Sequence, residues 1–435
     1  MKIFSYLNIA LCLFFITCTP FVCNAAFTDG QQARIELQQQ VSKLVAQEAY
    51  QDLENIAADY RIHKVRFTDG GWKLNVFYMT FSEGKRTDSE WRKLIADLEA
   101  WNRAYSQSVT AQTALGCAWF GYAWHARGRG FADKVTDDGW KLFRERKERA
   151  YELAKESVAG SSDCPERYNL LLRLASGLNW SEERYWNQFR KAIAFSPEYE
   201  QYYLTAAIHL LPRWGGTEGA WLRFAEKSAD SAPAGSGNIL YALIISRIQQ
   251  FGEFSSLLDS GISWERVRSG YREMSKKYPN SSWNANRFAL FACLAGDKKT
   301  VREIMGDEKF IYQMTAWPKE SVDPDECRVQ SGLPTFREEA AQRSARQMHA
   351  MQQRIFRELV NRAERGEHQA MAMVAEMLFR GEGTERNAVK AYAWLVLSGE
   401  PKEHLQEVAS SLSPDLQREA QYEVERLRNR LLKVK

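Results

Sequence analysis

Residues 366–399 read GEHQAMAMVAEMLFRGEGTERNAVKAYAWLVLSG, and their reading decides the fold. Gly381 and Gly383 permit the positive φ that a tight turn between two helices needs. Asn387, shortly after that turn, is a natural cap for a second helix. In that helix Ala391 and Trp394 offer a small and a large residue that interlock against the first. The stretch is a helical hairpin. Downstream, Ser413-Pro414-Asp415 gives a cap, a first-turn proline and an acid for a helix over 414–432. Leu416, Ala420, Val424, Leu427 and Leu431 form its apolar stripe, with charge on the other face. Upstream, a long helix is expected over about 335–365. Before it, Pro318, Pro324, Gly332 and Pro334 interrupt a polar segment, which places a linker over 317–334.

The same helical period runs through the rest of the chain. Trp91, Leu94, Ile95, Leu98 and Trp101 lie on one face of a helix over 88–103. An aromatic residue precedes proline by eight or nine positions at Phe189/Pro197, Phe224/Pro233 and Tyr271/Pro279. The aromatics are spaced 35 and 47 apart, the first close to the ~34-residue period of a two-helix repeat. Proline closes each unit because it cannot continue the helical ladder. Ala192 and Ala225 sit where neighbouring helices approach. The Thr68-Asp69-Gly70-Gly71 turn could open a hairpin, but Trp72, Phe77, Tyr78 and Phe81 are too dense for strand alternation and predict a buried helix. The fold class is all-α.

Gly366, Ala370, Met373, Leu378, the Gly381-Glu382-Gly383 turn, Asn387, Ala391, Trp394 and Ser398 together resemble a Sel-one-like repeat, a solenoid relative of the tetratricopeptide repeat. Residues 45–316 resemble a family of exported bacterial proteins defined only as a domain of unknown function. The segments that carry this are Asp69 to Leu74, Ala123 to Gly130, Leu211-Pro-Arg-Trp-Gly-Gly216 and Asn286 to Asp297. The resemblances imply a helical-hairpin superhelix, an α-solenoid, and an envelope location. They imply no activity.

Lys2, a short apolar run from Ile9 to Ile16, and small residues Ala25 and Ala26 have the layout of a secretory signal peptide over 1–26. The run is too short to span a bilayer comfortably, and no other stretch approaches ~18 apolar residues, so the mature chain is expected to have no transmembrane segment. The residues before Cys18 and Cys23 do not suit a lipid anchor. The remaining chain is divided into 27–316, the linker, and 335–435. Of the 435 residues 45% are hydrophobic and 26% charged, a globular composition that argues against extensive disorder. Removing 1–26 takes away one lysine and no acid, leaving 58 Lys+Arg against 55 Asp+Glu. These charges are interspersed, without the basic face that nucleic acid demands.

Four cysteines remain in the exported chain: Cys117, Cys164, Cys293 and Cys327. An oxidising compartment allows two disulfides. None are spaced Cys-x-x-Cys, so no zinc or redox centre is indicated, and no cofactor is implied. A Cys293–Cys327 bond is expected, because a short helix near 297–305 lets the chain double back. Cys117–Cys164 is the other possible pair, although Cys117 lies on a very apolar helix that suits a buried thiol.

No Gly-x-Ser-x-Gly, His-Glu-x-x-His or Gly-x-x-x-x-Gly-Lys motif occurs. The candidate ligand or partner residues are Arg127 and Arg129, beside His125, and the Arg213-Trp214 corner. Arg127 and Arg129 can grip a carboxylate or phosphate, or simply complement a helix C-terminus. Arg213 and Trp214 can face a ligand, or lock two repeats together. Trp91, Trp101 and Trp394 are expected in the core. The function that follows is protein binding or scaffolding in the cell envelope, through a groove for extended peptides or partner helices. The alternative is an α/α-toroid enzyme acting on a glycan, which needs two carboxylates about 5–10 Å apart. Asp137/Asp138 and Glu182/Glu183 are sequence neighbours and single out no pair. An open superhelix favours binding, and a closed one with clustered acids favours the glycosidase.

Overall fold

The computed structural model describes residues 30–128, 130, 132–155, 164–175, 177–258, 260–318, 322–399 and 402–432. Among them are 20 α-helices and no strand, only an isolated bridge between Arg66 and Trp72. The chain forms two compact units, divided between Leu333 and Pro334.

In the first unit, α1 (Gln31–Ala46) and α2 (Tyr50–Ile62) pack on α3 (Lys73–Ser82). The dense aromatic run forms that helix, with Phe77, Tyr78 and Phe81 fully buried. Beside it lie α4 (Asp88–Ala104) and α5 (Val109–Arg127), followed by α6 (Asp137–Lys155) and α7 (Pro165–Ala175). Helix α5 is apolar almost all round and so takes the centre, touching α3, α4, α6 and α7. Its small residues make this possible: a Cβ on Gly121 would lie 2.5 Å from the Ser82 carbonyl oxygen. Trp91 and Trp101 are core residues, and Trp101 Nε1 donates to Glu54 Oε1 at 3.1 Å.

The aromatic–proline pairs mark real helix ends. Helices α8 (Glu182–Phe195), α10 (Ala220–Asp230) and α12 (Trp264–Lys277) stop just before Pro197, Pro233 and Pro279. Helices α9 (Gln201–His209), α11 (Gly237–Gln249) and α13 (Ser282–Leu294) begin a few residues later. Serines 181, 263 and 281 cap α8, α12 and α13 by accepting backbone N–H bonds. Ala192 and Ala225 are fully buried.

The unit ends with α14 (Lys298–Met305) and α15 (Pro324–Gln330). Helix α15 falls inside the stretch expected to be a linker. Pro324 begins this helix instead of breaking it, because a first-turn proline lacks only an N–H that no helical carbonyl needs. Asp323 caps it, and the buried Arg328 donates to the Met305 carbonyl at 2.8 Å. A disulfide joins Cys327 on α15 to Cys293 on α13, with Cα atoms 6.0 Å apart. Cys117 and Cys164 are buried thiols outside this disulfide, and Cys164 donates to the Tyr78 hydroxyl at 3.4 Å.

An early turn of this unit meets its later helices α12 and α13. The Asp69-Gly70-Gly71 turn between α2 and α3 lies against Tyr278, which follows α12. Gly70 has φ +89°, and a Cβ there would come 2.5 Å from the Tyr278 ring. Asn284 Nδ2 on α13 donates to the Asp69 carbonyl at 3.0 Å. Arg34 on α1 holds the turn from behind, donating to both oxygens of the Asp69 carboxylate at 2.7 and 3.2 Å.

The second unit contains α16 (Phe336–Glu364), α17 (His368–Arg380), α18 (Ala388–Ser398), α19 (Lys402–Ser410) and α20 (Pro414–Leu432). Helices α17 and α18 form the expected helical hairpin, with Ala391 and Trp394 buried between helices and Asn387 Oδ1 accepting from Lys390 N at 2.9 Å. Gly383 is needed twice over: φ is +70°, and a Cβ would lie 2.4 Å from the Gln352 backbone on α16. Helix α20 buries Ala420, Val424 and Leu427, whereas Leu416 in its first turns is exposed.

We expect non-reducing peptide mapping to recover a linked Cys293–Cys327 peptide, with Cys117 and Cys164 alkylated only after unfolding. Reduction should cost about 3–4 kcal/mol, the chain-entropy value for a loop of this length. Denaturation with and without reductant measures it, and unchanged stability would rule that contribution out.

Candidate functional site

Closure of the first unit leaves a cleft walled by α1, α3, α5, α7, α9, α11, α12 and α13. It has two chambers of about 570 and 460 Å³, within the range of ordinary ligand sites. Asn75, Met79, Gln201, Leu204 and Arg247 line both, so they mark the junction.

The floor beneath this junction is polar and centred on a buried carboxylate. Glu166 is completely buried and accepts from Asn75 Nδ2 at 3.1 Å, from Asn169 Nδ2 at 3.0 Å and from the Tyr199 hydroxyl. Burial raises its pKa, opposed by Arg173 and by these donors. Asn169 Oδ1 in turn accepts from Thr205 Oγ1 at 2.7 Å. The two amides are thereby fixed on the cleft floor.

The first chamber carries an excess of cations. Its acids are neutralised: Asp69 by Arg34, and Glu200 by Arg66 at 2.9 Å and by Trp72 Nε1. Arg287 is satisfied by neutral acceptors, namely the Ser246 hydroxyl at 3.0 Å, Gln249 Oε1 at 3.0 Å and the Ala316 carbonyl at 2.9 Å. Arg247, in the last turn of α11, makes no hydrogen bond or ion pair to any described residue. Burial lowers its pKa; Glu83 opposes that, and the fields of Arg173, Arg34 and Arg287 add to it.

The second chamber is aromatic. Trp124 on α5 and Trp214 meet edge to face with centroids 5.8 Å apart, and Phe120, Leu172, Ile208 and Phe251 complete an apolar wall. Three wall residues have buried polar atoms without a protein partner: Ser82 Oγ, His209 Nδ1 and Trp214 Nε1. Behind Trp124, Lys147 on α6 is fully buried among Phe120, Trp124 and Phe143, with Nζ 4.8 to 5.4 Å from their centroids.

Of the candidate ligand residues named from sequence, Trp214 alone among the described ones lines this cleft. Arg213 pairs with Glu253 and donates to the Phe251 carbonyl at 3.1 Å, tying its turn (Pro212–Trp214) to the segment after α11. Arg127 lies over Trp124 and Trp140 and donates to the Gly130 carbonyl at 2.9 Å, which is the helix-end role. Arg129 lies outside the described residues. His125 packs on Tyr122 and Trp91. Cys293 and Cys327 are not cleft residues. Sequence reasoning passed over Arg247, Arg173 and Asn75. For Arg247 a signal existed, since it is the sole charge in Gly237–Gln249, an otherwise apolar helix. An outer groove of about 570 Å³ lies along α6, α7 and α8, but its Lys155, Arg167 and Arg184 all have protein partners.

No protein-family model matches the sequence, and no curated protein matches it. Among solved structures the chain is similar to a protective antigen of uropathogenic Escherichia coli strains that displays an SLR fold. The identity is 13%, over 90% of this chain and 86% of that one, with a TM-score of 0.17. The all-α assignment rests on the helices described above.

Lys147 gives the wall a pH signature. Burial, with Arg173 and Arg127 adding to it, lowers its pKa from 10.5 to about 7. Between those values the unfolded chain holds a proton that the folded chain lacks, so stability rises with pH across this window. Below about 7 both states carry the proton and the contribution is flat. Denaturation midpoints at pH 7, 8 and 9 should climb for the wild-type chain. The climb should disappear in Lys147→Met, and an equal climb there would assign it elsewhere.

Proposed function

We propose that this protein is exported to the bacterial cell envelope and binds an extended segment of a partner protein in the cleft of its first unit. The observation that carries this reading is the cleft itself. Its two chambers join an aromatic wall to a surplus of positive charge, with fixed amides between them. Extended peptides suit such a surface because side chains fill pockets while polar groups set the register. The signal-like residues 1–26 lie outside the described residues and support the envelope address through their sequence alone. Among the described residues no helix is long and apolar enough to cross a membrane. The Sel-one-like hairpin adds a second helical surface for partner contact.

The glycan-hydrolase alternative needs two carboxylates on one rim. The first unit does close on itself, as that reading asks, but of the lining acids Asp69 and Glu200 are held in ion pairs and Glu83 stands alone. Asp137, Asp138, Glu182 and Glu183 are not cleft residues.

The test is retention of a randomised hexapeptide pool on the immobilised mature chain, beside a pool of neutral oligosaccharides. Peptides should be held and sugars should pass; retained or cleaved sugars with no retained peptide would end the reading. Trp214→Phe should keep the fold and weaken peptide retention roughly tenfold, as expected for trimming a central aromatic anchor. Undiminished retention would remove Trp214 from the site. For the address, intact mass of protein from the envelope fraction should lack residues 1–25 or 1–26. A mass that includes Lys2 would refute cleavage.

A further inference from the structure

We propose that Arg247 is the anchor for a carboxylate of the bound peptide, with the adjoining apolar side chain lodged in the aromatic chamber. This rests on the peptide reading above and deepens it.

Three cations lining the first chamber have no carboxylate partner among the described residues: Arg247, Arg287 and Lys277. Their situations differ. Lys277 is exposed and stays hydrated without a partner. Arg287 is saturated by protein carbonyl, amide and hydroxyl oxygens, so it is part of the scaffold. Arg247 is partly buried and bonded to no described residue. Its place in the last turn of α11 would suit a purely structural role, but it donates to none of the terminal carbonyls of that helix. An arginine cannot shed its charge in a protein, and the field of Glu83 offsets only part of the cost of holding it in the cleft, so an arriving anion offsets more. A carboxylate matches the guanidinium fork with two parallel bonds. Glu83, whose field reaches Arg247, penalises a dianion such as phosphate more than a monoanion.

The neighbours of Arg247 say what the rest of the ligand is. Since it belongs to both chambers, a group bound to it has the polar chamber on one side and the aromatic one on the other. Asn75 lies at the same junction with its Nδ2 committed to Glu166, and its Oδ1 accepts from no described residue. That oxygen can take a peptide N–H, so the floor and the anchor together read a carboxylate next to an amide. Trp124 and Trp214 then receive a large apolar side chain. A carboxylate beside an amide and an apolar residue is found at a peptide C-terminus and equally at an internal Asp or Glu, so the experiment separates the two.

The mature chain is tested with three hexapeptide pools of matched apolar content. The first has free C-termini and no Asp or Glu. The second has C-terminal amides and no Asp or Glu. The third has C-terminal amides and contains Asp or Glu. We expect at least one carboxylate-bearing pool to bind roughly 10–100-fold more tightly than the neutral amide pool, the scale of a charge-assisted contact. The first pool binding best identifies a C-terminus, and the third an acidic side chain. Arg247→Gln should bring that pool down to the level of the neutral one without lowering the melting temperature, and Arg247→Lys should restore part of the difference. If the neutral pool binds the wild-type chain as tightly as the acids, the peptide reading stands and the anchor fails. If no pool binds, the peptide reading fails and takes the anchor with it. The acid–amide comparison needs no variant, so a poorly folded Arg247→Gln would not leave the matter open.

Discussion

The contact between the Asp69–Gly71 turn and Tyr278 governs the first unit. Helical hairpins bury one face each against the next pair, which leaves the outermost helices of a stack uncovered. Here the turn between α2 and α3 is held against Tyr278 and α13, and the cleft lies beside that contact. The interaction between Asn284 and the Asp69 carbonyl joins residues 215 positions apart. Closing so long a loop costs about 5 kcal/mol in chain entropy, whereas one neutral hydrogen bond returns only about 1 kcal/mol. The closing contact therefore cannot create the architecture. The stacked helices bring the ends together, and the contact fixes where they stop. Gly70 makes that stop possible, because any side chain there would occupy the Tyr278 ring.

Once the unit is closed, charges drawn into its interior must be compensated. The ion pairs Arg34–Asp69 and Arg66–Glu200 are compensated internally, and each also braces the closing turn or its flanking Trp72. Glu166 is offset by donated hydrogen bonds and by Arg173 at 3.8 Å, which makes it a support for the floor. Against this pattern Arg247 stands out, since Arg34, Arg66, Arg287 and Glu166 all have oxygen or nitrogen partners within hydrogen-bonding distance. A fold that satisfies its neighbours so thoroughly gains nothing structural from a lone guanidinium, and a binding surface does.

The sequence was most legible where one residue's chemistry settles a local conformation. Gly381 and Gly383, Asn387, Ser413 and the prolines after α8, α10 and α12 each mark a helix end for a local reason, and those ends lie where the chain indicates. The dense aromatic run after Gly71 likewise declares a buried helix. Proline misled once. Pro324 in a polar segment looks like a linker residue, yet with Asp323 before it the same residue starts a helix. The cleft was much less legible. Its walls come from eight helices spread over more than 200 positions, and no spacing within one helix reveals which faces converge. Arg127 and Arg213 drew notice because they sit in conspicuous glycine-rich turns, but such turns expose cations to nearby carbonyls and acids, and both found partners there. Arg247 sits in an unremarkable apolar helix and owes its position entirely to tertiary packing.

The Leu211–Gly216 corner shows why a choice between structural and ligand-facing roles was too coarse for adjacent residues. Successive residues in a tight turn point in different directions, so one corner can serve both. Arg213 turns outward to Glu253 and the Phe251 carbonyl and locks the chain beyond α11, which carries Arg247. Trp214 turns inward and meets Trp124 edge to face on the chamber wall. The lock and the wall are thus one residue apart. Fixing Arg213 to the end of α11 holds the indole and the Arg247 backbone in a single frame, so their spacing is set before any ligand arrives. A site arranged in this way loses little conformational freedom on binding, and that saving is what lets a few contacts suffice.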